Sequence, residues 1–134
     1  FLYHFESAKK ENKGSTGHAV RGYSGGISTR SHNLVWPTGE FSLEQLCEQN
    51  NKCLLVTQLE GQAGCNPVSG DISIGVQGFL IENGRRIQPV DSITLAGNFF
   101  DVLLNVQGSG NTYQPELTHS FIPALLIEGL TVSG

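Results

Sequence analysis

The side chains able to do chemistry are few and scattered. Four histidines stand at His4, His18, His32 and His119, and three cysteines at Cys47, Cys53 and Cys65. No two histidines are four residues apart, H-E-x-x-H does not occur, and no Cys/His ladder has the spacing that wraps four ligands around zinc. A metal site would have to be assembled from residues distant in sequence. Cys65 lies in Gly64-Cys65-Asn66. It becomes a nucleophile only with an imidazole beside it to lower its pKa. His18 or His32 would have to supply that across the fold, and a small half-buried thiol in a turn is the simpler reading. Glu60 and Asp71 flank one turn-rich segment, but spacing sets no second carboxylate beside either. Asp71 reads as a turn residue whose carboxylate bonds nearby backbone. No G-x-S-x-G elbow is present. The glycine-rich stretches 22–26 and 108–110 lack the lysine and the strand-to-helix context of a phosphate cradle.

Composition narrows the class. At 134 residues the chain makes one domain. Only 15% of it is charged, against about 25% in an average protein. Gly, at 17 residues, is about twice its usual share of ~7%. The net charge is −4 and the pI about 5.5, so no basic footprint for nucleic acid exists. Lys9, Lys10 and Lys13 read as a solvated face. An odd cysteine count rules out a complete disulfide framework, and a reducing, cytoplasmic setting follows as the simplest expectation. No charged-then-apolar leader lies near Phe1, and no apolar run approaches the ~18 residues that would span a bilayer. The absence of Met is read as the mark of a fragment whose N-terminal part lies upstream of Phe1.

The elements that must position these residues are mostly strands. Residues 14–31 have loop composition (GSTGHAVRGYSGGISTRS), and His32–Trp36 reads as a short strand stopped by Pro37. Ser42 followed by Gln45 is a capping box opening a helix whose inner face is Leu43, Leu46 and Cys47. Cys53–Leu59 is a buried-type strand, and residues 60–71 are turn-rich. Ile72–Ile81 alternates, with Ile72, Ile74, Val76, Gly78 and Leu80 on one side. Asn83-Gly84 is a hairpin turn, since both central residues must take positive φ. Arg85–Gln88 returns, Pro89 interrupts, and Val90–Leu95 continues the sheet. Asn98 caps a short helix, Phe99–Leu104, with Phe99, Val102 and Leu103 expected to face the core. Residues 106–120 read as a polar loop and Ile122–Val132 as a terminal strand. The expectation is a mainly β (β-rich α+β) domain: an antiparallel sandwich or barrel-like sheet with two short helices.

One series of positions is distinctive: Asn66-Pro67-Val68-Ser69-Gly70-Asp71, then Ser73, Gly75, Gly78-Phe79 and Glu82-Asn83-Gly84. Pro89-Val90, Ile93-Thr94-Leu95-Ala96-Gly97-Asn98, Leu125-Leu126-Ile127 and Leu130-Thr131-Val132 follow in order. With Ser15-Thr16-Gly17, Asn33-Leu34 and Gly39, they resemble the C-terminal domain of the TldD/PmbA (TldE) family, often labelled modulators of DNA gyrase. The resemblance covers nearly the whole chain. Two positions depart from it: His18 stands where the family usually has Asn, and Val76 where Ala is common.

That resemblance implies a mainly β domain of a heterodimeric zinc metallopeptidase that acts on unfolded or extended peptides. Its TldD subunit holds the metal with an H-E-x-x-x-H helix and a C-terminal Cys. The helix would lie upstream of Phe1. Aligned on Pro123 and the Leu130-Thr131-Val132 ending, the Cys position falls near Ser109, and residues 105–121 hold no Cys. A hydroxyl is a far poorer zinc ligand than a thiolate. The chain therefore resembles the non-catalytic PmbA/TldE side, with zinc expected in a TldD-like partner, no catalytic residue of its own, and neither nucleic acid nor membrane as partner. A homodimer of the isolated chain is admitted. Two alternatives stand beside this reading. One is an active zinc peptidase with His119 as a diverged third ligand. The other is a gyrase-modulating interaction module. Asn66, Pro67, Gly70, Asp71, Gly97 and Asn98 are the family-motif positions, weighted towards turn and cap roles.

Overall fold

The computed structural model describes residues 1–61, 64–113 and 119–134. In chain order the elements are α1 (Phe5–Lys10), β1 (Ala19–Arg21), β2 (Ile27–Thr29), β3 (Leu34–Val35), α2 (Leu43–Glu48), β4 (Lys52–Glu60), β5 (Asp71–Glu82) and β6 (Arg85–Asn98). Then come α3 (Phe99–Leu104), β7 (Val106–Tyr113), β8 (Ser120–Phe121), β9 (Pro123–Ile127) and β10 (Thr131–Ser133). The class is mainly β, α+β, with open sheets and, among the described residues, no closed barrel. The chain divides into two units, Phe1–Trp36 with Pro115–Phe121, and Pro37–Gln114 with Ile122–Gly134.

In the first unit, α1 was not expected. Its N-cap is His4, outside the usual Ser, Thr, Asp and Asn set. The ring Nδ1 accepts from the Ser7 N–H at 3.4 Å, while the Ser7 hydroxyl oxygen accepts from the His4 N–H at 3.1 Å. Ala8 is the buried residue of this helix. The glycine-rich stretch read as loop contains an antiparallel hairpin, with Ala19 opposite Thr29 and Arg21 opposite Ile27. β3 pairs with β8 in parallel, so the pairing is not wholly antiparallel.

The second unit is built on a four-stranded antiparallel sheet in the order β10-β6-β5-β4. Asn83 and Gly84 take φ of 48° and 74°, as the hairpin between β5 and β6 requires. β6 runs through Pro89 without interruption. β10 covers only Thr94 to Ala96, so among the described residues β6 at Pro89 has β5 as its single paired neighbour, the edge position at which a strand accepts proline. Both strands flanking β5 carry extra residues near Gln77: Thr57 on β4, and Asp91-Ser92 on β6, where Ser92 takes φ 55°. Paired bulges at one level bend the sheet. Gly78 sits in that bend, and a Cβ there would overlap the Leu55 carbonyl oxygen.

Residues 106–113 are strand, not loop: β7 pairs antiparallel with β9 and is bridged through Gly110 to Phe41. The expected terminal strand is two, β9 and β10, parted at Gly129 with φ 83°. The helices number three among the described residues. α2 is closed by its capping box, the Ser42 Oγ accepting from the Gln45 N–H at 3.3 Å and the Gln45 Oε1 from the Ser42 N–H at 2.8 Å. Leu46 turns inward and is 3% exposed; with Val76 and Ile81 it forms the buried apolar core of this unit. α3 buries no residue: Phe99 and Leu103 stay half-exposed, contrary to the expected core face.

Candidate functional site

Asn66 starts a tight turn. Its Oδ1 accepts the N–H groups of Val68 at 2.9 Å and Ser69 at 3.3 Å, while its carbonyl accepts from the Gly70 N–H at 2.9 Å. Gly70 takes φ 81°, which suits a residue without Cβ. The Ser69 hydroxyl donates to Asp71 Oδ2 at 2.6 Å. From the far end of β6, the Asn98 amide donates to the Ser69 carbonyl at 3.0 Å and to Asp71 Oδ1 at 3.1 Å. Asn98 Oδ1 accepts from the Phe100 N–H at 3.0 Å and so caps α3, and the Phe99 N–H donates to the Gly70 carbonyl at 2.7 Å. The Ser69 hydroxyl and then the Asn98 amide hold the Asp71 carboxyl below its ordinary value. Asn66, Gly70, Asp71 and Asn98 are thus one hydrogen-bonded knot tying a turn to a helix start. Its polar groups are spent on one another, and Gly97 lies opposite Ile72 beside it.

Ser109 lies in β7, half-buried, opposite Leu125. Gly39 runs so close that a Cβ on it would overlap the Ser109 carbonyl oxygen. The Gly39 N–H donates to the Gly110 carbonyl at 2.9 Å, and the Asn111 N–H to the Phe41 carbonyl at 2.8 Å. The segment before α2 therefore lies along β7, which accounts for the glycine at 39. Ser109 brings a hydroxyl and no charge to the position where the resemblance expects a thiolate.

His119 belongs to the other unit. There it lines a depression of about 270 Å³ with Arg30, Ser31, His32, Leu34 and Ser120. His32 stacks on His18 with ring centroids 5.5 Å apart and planes 17° from parallel. The Gly17 carbonyl is 3.2 Å from His32 Nε2, so that nitrogen carries the proton. Among the described residues, no three His, Cys, Asp or Glu side chains are placed to hold a metal ion. The donors present do not fit zinc, which needs three or four such ligands.

One feature had no clear sequence signal. A groove of about 540 Å³ lies in the second unit, walled by α2 (Leu43, Leu46, Cys47), by β4 from Lys52 to Leu59, and by β9 with the residues after it. Its surface is largely apolar, with Lys52 and Glu128 the charged residues on it. The Leu125-Leu126-Ile127 run hinted at a buried strand, but the hollow depends on where β9 lies against α2 and β4.

Fold and site define the class: an α+β domain with an apolar groove beside α2 and β4. The family model for the PmbA/TldA metallopeptidase C-terminal domain matches residues 1–134, and the chain belongs to that family. It is 41% identical over 105 residues to Metalloprotease PmbA of Escherichia coli O157:H7, covering 78% of this chain and 21% of that protein. It is 46% identical over 101 residues to the Metalloprotease PmbA homolog of Haemophilus influenzae, covering 75% and 20%. The crystal structure of TldE from Thermococcus kodakarensis superposes with a TM-score of 0.89 at 27% identity, covering all of this chain and 31% of that one. A Thermotoga maritima structure that bears a DNA-gyrase-modulator name superposes at 0.86 with 35% identity, covering 99% and 30%. The chain spans about a fifth of the length of the PmbA relatives it matches. No helix among the described residues is long and apolar enough to cross a membrane.

Proposed function

We propose that this domain belongs to a PmbA/TldE-like, non-catalytic subunit of a cytoplasmic heterodimeric zinc metallopeptidase. In this reading the zinc sits in a TldD-like partner, and the substrate is an unfolded or extended peptide. The observation that carries it is Ser109: the position that would offer a thiolate offers a hydroxyl, pinned against the Gly39 backbone. A hydroxyl there supplies no ligand able to compete for zinc at neutral pH. The subunit's part would be to close the chamber and help hold the peptide. β4 has no strand on its outer side among the described residues, and its residues wall the apolar groove. A free edge beside an apolar trough suits a peptide in extended form, with backbone bonds for affinity and alternate side chains for selection.

The test is made on the full-length polypeptide, purified without added metal. Alone it is expected to hold no stoichiometric zinc and to leave an unfolded peptide intact. Mixed with a TldD-like subunit it is expected to form a complex that cleaves the peptide. One zinc per chain together with cleavage in the absence of a partner would overturn the reading.

A further inference from the structure

The first unit is basic in a chain whose net charge is −4: it holds five of the eight Lys and Arg but three of the twelve Asp and Glu. The depression beside His119 lies wholly in this unit, and its wall contains Arg30, His32 and His119 but no carboxylate. The backbone fixes where these residues stand. The Arg30 N–H donates to the His18 carbonyl at 3.1 Å, one step beyond the Ala19–Thr29 pair of the β1–β2 hairpin. His32 is held by its stack on His18 and by the Gly17 carbonyl. The Leu34 N–H donates to the His119 carbonyl at 2.8 Å, where β3 and β8 pair. Among the described residues no carboxylate stands within ion-pair reach of the Arg30 guanidinium. The donors that do not fit zinc thus share their wall with a permanent positive charge, which repels a metal ion and attracts an anion. Leu34, 54% exposed, adds an apolar surface to the same wall.

We propose that this depression binds a carboxylate carried by a peptide, with the Arg30 guanidinium as its fixed charge. A guanidinium presents parallel N–H donors in a rigid fork, which a carboxylate meets with both oxygens. His32 and His119 complete the polar wall, and Leu34 meets the aliphatic body that carries the charge. That apolar surface favours an amino-acid residue over a bare inorganic anion, which has nothing to bury there. Exposed residues make up the whole wall, so a ligand reaches it from solution. A peptide offers a carboxylate at its chain end and on Asp or Glu side chains, and the site reads the group common to both. The choice of a peptide as carrier rests on the peptide reading of the domain; the anion site at Arg30 does not.

Binding is read in the full-length polypeptide without a partner subunit, so a failure here and a failure of peptide cleavage are separate results. Histidine rings are labelled with carbon-13, and the His32 and His119 signals are assigned through His32→Gln and His119→Gln. N-acetyl-leucine, N-acetyl-leucinamide, the N-acetylated α-amide of glutamate and inorganic phosphate are titrated in at constant pH and ionic strength. Both ring signals should shift to saturation with at least one of the two carboxylates and stay put with the leucinamide. Saturation by N-acetyl-leucine identifies the chain end as a source, and saturation by the glutamate α-amide identifies the side chain. Arg30→Gln should weaken the binding by at least about tenfold. Arg30→Lys, which keeps the charge and loses the fork, should weaken it less. Arg21→Gln, on the neighbouring strand, should leave it unchanged. Equal shifts with the leucinamide, no saturation by either carboxylate, or saturation by phosphate alone would overturn the proposal. So would an unchanged affinity in Arg30→Gln, or an equal loss in Arg21→Gln, which would mark a diffuse field and not a site.

Discussion

Asp71 and Asn98 stand opposite each other in the β5–β6 register, and the Asn98 amide donates to the Asp71 carboxylate at 3.1 Å. The pair ties the turn before β5 to the first turn of α3, elements 27 residues apart in the chain. The bonded form of Asp71 is the ionised one, and this fixes how the knot responds to acid.

Since the carboxyl is held below its ordinary value in the folded chain, its contribution is present above the unfolded value of about 4. It is lost as pH falls through the folded value, because the unfolded chain then binds the proton more readily. Between about pH 5 and pH 3 the parent chain should lose more stability than Asp71→Asn, which has no proton to take up at this position. Urea midpoints at the two pH values measure this. Equal losses in the two proteins would show that the Ser69 and Asn98 bonds do not discriminate between the charged and neutral forms.

Asn98→Ala removes the cap of α3 together with both bonds to the turn. A lost N-cap costs about 1 kcal/mol, and the stranded Ser69 carbonyl and Asp71 carboxylate add to that only in part, since water reaches them. The expected loss is about 1–2 kcal/mol in urea unfolding. Amide exchange should rise at Phe100 more than at Leu46. A loss spread evenly over both helices would refute a local role for Asn98.

Gly78→Ala tests the bend in the sheet. A methyl at this position meets the Leu55 backbone oxygen, which cannot yield without breaking the β4–β5 ladder. Overpacking of this kind costs about 1–3 kcal/mol, and a backbone neighbour puts the expected loss at the upper end. Thermal unfolding should show it. A midpoint within a degree or two of the parent would mean that the bulges at Thr57 and Asp91-Ser92 relax to take the methyl.

The parts of this fold that were legible in the sequence are those whose partners are local. The Ser42–Gln45 capping box closes within four residues, and the Asn83-Gly84 turn needs nothing beyond its own two φ angles. β7 was opaque, because Val-Gln-Gly-Ser-Gly-Asn-Thr-Tyr carries no alternation. It is a strand only because β9 and Phe41 supply its bonds from outside. α1 was hidden for a different reason, its cap being an imidazole. At the motif positions the residue types were visible as turn and cap formers. That Asn98 reaches back to the Ser69 carbonyl is a fact of tertiary structure that no spacing could give. The groove arises the same way, from a chain reversal that brings α2 beside β4.

Ser109→Cys in the full-length polypeptide separates a non-catalytic subunit from a peptidase that has lost one ligand. The substitution puts a thiol in β7, at the position where the resemblance places the Cys of the TldD side. A thiolate alone does not hold zinc; the ion needs two further nitrogen or oxygen ligands and keeps an open position for water. Among this domain's described residues no three such donors converge, so any remaining ligands must come from elsewhere in the polypeptide. If the subunit is non-catalytic throughout, the variant should still come through dialysis with no stoichiometric zinc and cleave nothing. Circular dichroism should match the parent, since a thiol replaces a hydroxyl at a half-buried position. Should the variant retain one zinc per chain and gain peptide cleavage, the rest of the polypeptide carries an intact histidine pair. The serine would then be the single lesion in an otherwise complete metal site, and the TldE-like reading would fall.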